Sequence, residues 1–211
     1  MKSTLSAASF WPITLIGTLV CLMALLRYAS LSSSPLVLLG DSIIQQMAPV
    51  QSTLPVPFSR ATNLGVSGEV VAQIAAQVRS IPTTATHVLV EGGVNDLARG
   101  GSASDVIKGY AAILHSIPSD KRVIVVGILP IDEALIPPGV RTLLNNSRIA
   151  AINAQIASLC ASLPNCTPAR GLMSTDMSGK TVDGIHLKAA TYREWPGLLA
   201  TTLGDLGRAR D

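Results

Sequence analysis

The 211-residue chain has few aromatic residues (3%) and little charge (14%). Its net charge of +3 is dispersed, and no run of Lys and Arg forms a basic stripe. A nucleic-acid surface needs a basic footprint and usually stacking rings, so nucleic acid is excluded as a partner. Cysteine and histidine number only three each and do not gather. Cys160 and Cys166, in "LCASLPNC", have no companion at metal-ligand spacing, so neither a metal nor a cofactor is expected. In an oxidising compartment the two thiols could close a small loop as a disulfide; otherwise they are unrelated. Internal repeats and low-complexity tracts are absent, and 48% apolar residues exclude disorder.

What is present begins with an apolar run. "FWPITLIGTLVCLMALL", residues 10–26, carries no charge and is flanked by Lys2 and Arg27. It matches the short end of the roughly 17–25 residues that span a bilayer as a helix. Arg27 and Tyr28 stand where a signal-peptidase site would need small residues, which favours an uncleaved signal-anchor over a cleaved signal peptide. Residues 1–35 are therefore read as an N-terminal hydrophobic helix with a short Ser/Pro linker. The rest is expected to be exported, held on the membrane and facing the periplasm or exterior, or secreted if the segment is removed.

From Leu36 onward, strand-like and helix-like stretches alternate. "LVLL", "HVLVEGG" and "RVIVVGILP" read as strands, with weaker ones in "FSRATNLG" and near Thr167. Helices are expected over 69–81, 103–117, 140–160 and 187–206, the last kinked or broken at Pro196. Uninterrupted apolar strands between helices indicate a parallel α/β sheet covered on both faces. Ligands in such folds bind beyond the carboxyl ends of the strands.

Polar and glycine-rich letters collect at that rim: "LLGDSI", "NLGVSGE", "EGGVNDL" and, in the last loop, "TVDGIHLK". Taken singly, each has a plain structural reading, with Ser42 as a helix cap and Gly68 as a turn glycine. Together they can do one kind of chemistry. A serine hydroxyl needs a base, and His186 is the histidine in a loop position. Asp183 is close enough to hold the other imidazole nitrogen. The oxyanion formed at a carbonyl needs fixed donors, which the N–H groups of Ser42 and Gly68 and the Asn95 amide can supply. A metal site built from Asp41, Asp96, Asp183 and His186 would leave Ser42, Gly68 and Asn95 without a role. "SGKT" lacks the first glycine of a phosphate-binding loop, and "GVSGE" is not a Gly-x-Ser-x-Gly elbow.

With these four blocks in order, residues 36–205 resemble the SGNH, or GDSL-type, hydrolases. Ile43 departs from their common leucine, a minor apolar exchange. The resemblance implies a three-layer, flavodoxin-like α/β/α sandwich with a five-stranded parallel sheet over 36–211. It also implies acyl-group hydrolysis or transfer. Ser42 would be the nucleophile, His186 the base and acid, and Asp183 its orienting partner. Ser42, Gly68 and Asn95 would form the oxyanion hole, with Asp41 and Asp96 holding their loops. The expected activity is carboxylic ester hydrolysis through an acyl-enzyme, on a small-molecule, glycan or lipid ester. Two alternatives stand beside it: an O-acyltransferase or deacetylase of cell-envelope glycans using the same residues, and an inactive, membrane-anchored binding domain. The segment 130–146 is expected to line the acyl pocket, with Leu135 and Ile136 giving it apolar character.

Overall fold

The computed structural model describes residues 36–208, apart from Pro55 and Pro57. The hydrophobic run at 10–26 and the linker to residue 35 lie outside them. No helix among the described residues is long and apolar enough to cross a membrane.

Five parallel strands form one sheet: β1 (Leu36–Leu39), β2 (Thr62–Asn63), β3 (His87–Glu91), β4 (Arg122–Gly127) and β5 (Cys166–Pro168). Their spatial order is β2-β1-β3-β4-β5. Val37 lies opposite Val88 and Val88 opposite Val123, and the β3–β4 register shifts by one residue between Val90 and Glu91, which pairs with Gly127.

Because side chains alternate along a strand, an all-apolar strand must be buried on both faces. Val37, Leu39, Val88, Val90, Val123 and Val125 enter one core cluster. They pack there with α3 (Val71–Gln77), α5 (Ala103–Ser116) and α7 (Asn146–Ala161). The intervening Leu36, Leu38, Leu89, Ile124 and Val126 enter the opposite cluster. Its helices are α1 (Ser42–Gln45), α2 (Ala48–Gln51), α8 (Arg170–Met173) and α9 (Ala189–Arg208). Two short helices, α4 (Val94–Ala98) and α6 (Pro138–Arg141), complete the order. The sandwich thus has the three layers and five parallel strands expected of it.

Local boundaries differ from the sequence reading at three places, the first being the helix expected over 69–81, which is α3 over Val71–Gln77 followed by a 3-10 turn, Val78–Ser80. The helix expected over 140–160 is two elements, because the Asn145 side chain accepts the Arg148 N–H and starts α7 there. The helix expected to kink or break at Pro196 does not break there, and α9 runs through that residue. Tyr192, Trp195 and Leu199 are buried on one face of it, at 2%, 0% and 0% exposure. Burying three such side chains outweighs the roughly 3 kcal/mol that an interior proline costs a helix.

Candidate active site

The strand order reverses between β1 and β3, and the chain leaving β1 turns at Gly40-Asp41-Ser42. Asp41 is the cap of α1: its Oδ1 accepts the Ile43 N–H at 3.0 Å. Capping therefore falls to Asp41, and Ser42 is the first helical residue, 3% exposed. Tyr192 on α9 donates its hydroxyl to the Ile43 carbonyl at 2.7 Å, which pins α1 from the other side.

Ser42 Oγ lies 2.9 Å from His186 Nε2, across 144 residues of sequence. His186 Nδ1 lies 2.6 Å from Asp183 Oδ2. An ionised carboxylate only accepts, so Nδ1 carries the proton and Nε2 is left to accept from the Ser42 hydroxyl. Asp183 Oδ1 also accepts the backbone N–H groups of Ile185 and His186, at 3.0 and 2.8 Å. Burial raises the Asp183 pKa, but the His186 ring and these two N–H groups outweigh it and hold the carboxyl below its ordinary range. One carboxylate thus folds the Asp-x-x-His turn and fixes the imidazole. Gly184, between them, has φ +100°, and a Cβ there would meet Ile136 Cδ1 at 2.6 Å and the Asp132 carbonyl at 3.1 Å.

Gly68 has φ +80°, in the left-handed region where a side chain is strained, and sits in the turn Val66–Glu69. That turn is tied to the end of β1 by Val66 N–H on the Gly40 carbonyl (3.1 Å). Arg99 donates to the Gly68 carbonyl at 2.8 Å. Asn95 Nδ2 donates to the Glu69 carbonyl at 3.0 Å and to Asp41 Oδ2 at 3.3 Å. Asp96 Oδ2 accepts the Val71 N–H at 3.0 Å, at the start of α3. Ser42, Gly68 and Asn95 are therefore held in one network, with His186 and Asp183 closing it from the last loop.

Besides Arg99 and Tyr192, two buried residues of this network were not singled out from the sequence. Glu91, the last residue of β3, is 0% exposed, and neither carboxyl oxygen has a hydrogen bond of ordinary geometry. Burial, then the negative charge of adjacent Asp41, pushes its pKa well above the usual carboxylate range. Asp41 is pushed up to about 6, mainly by burial, against the Ile43 N–H that favours its anion. Gln77, in α3, bonds to Gly40 and Glu69. Its sequence signal was a polar residue on the helix stripe that buries Val71 and Ile74.

The segment after β4 adjoins the His186 loop. Asp132 N–H meets the Gly184 carbonyl at 2.9 Å, and Asp132 Oδ2 accepts the Gly179 N–H at 2.9 Å. Ile136 is buried at 2% exposure and Leu135 is exposed at 49%. Cys160, near the end of α7, and Cys166, at the start of β5, are joined as a disulfide with Cα atoms 5.2 Å apart. Among the described residues no group of His, Cys, Asp and Glu is arranged to hold a metal ion.

Comparison with known proteins agrees with this architecture. Residues 38–194 match the model of the GDSL-like lipase/acylhydrolase family, and the chain belongs to that family. A candidate platelet activating factor from Streptococcus pneumonia superposes with TM-score 0.67 at 19% identity, covering 93% of this chain and 100% of that one. A GDSL-like lipase from Bacteroides thetaiotaomicron VPI-5482 gives 0.65 at 17% identity, covering 85% and 97%. A member of the lipolytic G-D-S-L family from Veillonella parvula DSM 2008 gives 0.60 at 15%, covering 80% and 97%. At these identities the likeness is one of fold. No curated protein matches the chain in sequence.

Proposed function

We propose that the protein is a serine hydrolase of carboxylic esters that works through an acyl-enzyme. The observation that carries this reading is the unbroken line Ser42 Oγ–His186 Nε2, His186 Nδ1–Asp183 Oδ2, at 2.9 and 2.6 Å.

Ser42 Oγ attacks the ester carbonyl while His186 Nε2 takes its proton, and Asp183 holds the resulting imidazolium. Negative charge on the carbonyl oxygen is met by the N–H groups of Ser42 and Gly68 and by Asn95 Nδ2. The oxyanion competes for the Asn95 proton now shared with Asp41 at 3.3 Å, the longer of that amide's two bonds. Collapse expels the alcohol, which takes the proton from His186. Water, deprotonated by the same nitrogen, then releases the acid and restores Ser42.

The substrate is a small-molecule, glycan or lipid ester, and the enzyme is exported, with residues 10–26 holding it on the membrane. The Cys160–Cys166 bond supports an oxidising compartment.

Hydrolysis of p-nitrophenyl esters of graded acyl length by the full-length protein tests the reading. Ser42→Ala and His186→Ala should each lower kcat by about 10³-fold or more. Wild-type turnover in Ser42→Ala contradicts it. Product analysis with a competing sugar acceptor separates hydrolysis from transfer.

A further inference from the structure

Gln77 takes no part in the chemistry above, yet its side chain touches both halves of the site. It is the last residue of α3, 9% exposed, and lies on the face that turns Val71 and Ile74 into the core. An amide in that stripe is costly unless its donors and acceptor are met. Here all are met. Oε1 accepts the Gly40 N–H at 3.0 Å, and Nε2 donates to the Gly40 carbonyl at 2.9 Å and to Glu69 Oε2 at 2.6 Å. The orientation of the amide is fixed by its partners, because a backbone N–H requires the oxygen and two oxygens require the nitrogen.

The positions of those partners matter. Gly40 stands two residues before Ser42, at the end of β1, where the chain turns into α1. Glu69 directly follows Gly68 and ends the turn Val66–Glu69. The same two parts are also tied by the Val66 N–H on the Gly40 carbonyl, and the Glu69 carbonyl accepts from the Asn95 side chain. Gln77 thus bonds both backbone polar groups of Gly40 and the Glu69 carboxylate.

We propose that Gln77 is a positioning residue that locks the Ser42 turn and the Gly68 turn into one register, so that attack on the carbonyl depends on it. The proposal rests on the ester-hydrolase reading. A shift of about 1 Å between a nucleophile and its oxyanion donors costs as much as 10²-fold in rate. Substrate binding outside the reacting centre does not pass through Gln77, so KM should be spared.

The test uses the full-length protein carrying Q77L, Q77E or Q77E/E69Q. Q77L removes all three bonds at similar volume, and kcat should fall about 10–100-fold with KM within about threefold of wild type. The rate of Ser42 modification by a small fluorophosphonate, which has no long acyl chain to bind, should fall by the same factor. Q77E keeps the acceptor for Gly40 N–H but sets a carboxylate against the Gly40 carbonyl and the Glu69 carboxylate, and kcat should fall comparably. In Q77E/E69Q the introduced amide at 69 donates to the introduced carboxylate at 77, and kcat should recover about tenfold over Q77E alone. If Q77L does not fold, the Q77E pair decides. Wild-type kcat and labelling in Q77L and Q77E would overturn the proposal, as would an unrelieved Q77E defect in the double variant. Absence of Ser42-dependent turnover in the wild type is a different result: it removes the ester-hydrolase reading and this proposal with it.

Discussion

Replacing Asp41 with Asn should change how stability depends on pH, by an amount that follows from the burial of one carboxyl. Asp41 is 0% exposed, and its pKa is pushed from 3.8 to about 6, mainly by burial. The groups that act on it are the Ile43 N–H, Glu91, His186 and Asp96. Burial and the neighbouring Asp41 push the Glu91 pKa well above its ordinary value. A carboxyl whose pKa is higher in the folded chain than in the unfolded one binds its proton more tightly when folded. Protonated Asp41 therefore favours the fold. That contribution is complete below the unfolded value and is lost as pH rises through the folded one. At about 1.4 kcal/mol per pH unit, the whole effect is about 3 kcal/mol, of which about 2 kcal/mol falls between pH 4.5 and 8. Urea unfolding of wild type and Asp41→Asn across that range measures it. The difference between the two proteins carries a constant offset: the asparagine Oδ1 keeps the Ile43 N–H, and the Nδ2 that replaces Asp41 Oδ2 cannot accept the Asn95 proton. Superimposed on that offset, wild-type stability should decline relative to the variant by about 2 kcal/mol from low to high pH. A difference that is flat to within about 0.5 kcal/mol would refute the reasoning.

Two further outcomes are expected. Asp183→Asn should cost about 10³-fold in kcat, since an amide in its place favours the wrong imidazole tautomer. The loss should be smaller than for a fully buried carboxylate, because the Asp183 side chain is 52% exposed; steady-state kinetics at fixed pH read it. Replacing both Cys160 and Cys166 with Ala opens a loop with a sequence separation of 6. By loop entropy this costs about 2 kcal/mol, or about 4–8 °C in Tm by calorimetry, with little change in kcat.

The parts of the fold readable from sequence were those written in consecutive letters. "LVLL" and "RVIVVG" announce strands buried on both faces, and Asp183 reaches His186 within a single turn, so spacing alone places them together. Ser42 and His186 are 144 residues apart, and only a parallel sheet that carries each block to the same rim brings them into contact. What could not be read depends on partners distant in sequence. Gln77 looks like one polar letter on a helix until Gly40, 37 residues earlier, supplies its partners. Glu91 reads as a strand end, although its carboxyl is buried under the Ser42 turn. A kink or break at Pro196 was expected from local backbone chemistry, and the buried stripe of Tyr192, Trp195 and Leu199 keeps the helix from breaking there.

The central claim is that Ser42 is a nucleophile activated by His186, and covalent labelling tests it most directly. Full-length protein treated with a fluorophosphonate and mapped by peptide mass spectrometry should carry one adduct, on Ser42, and His186→Ala should suppress it. An adduct on another residue, or none on Ser42 in the folded wild type, would contradict the account.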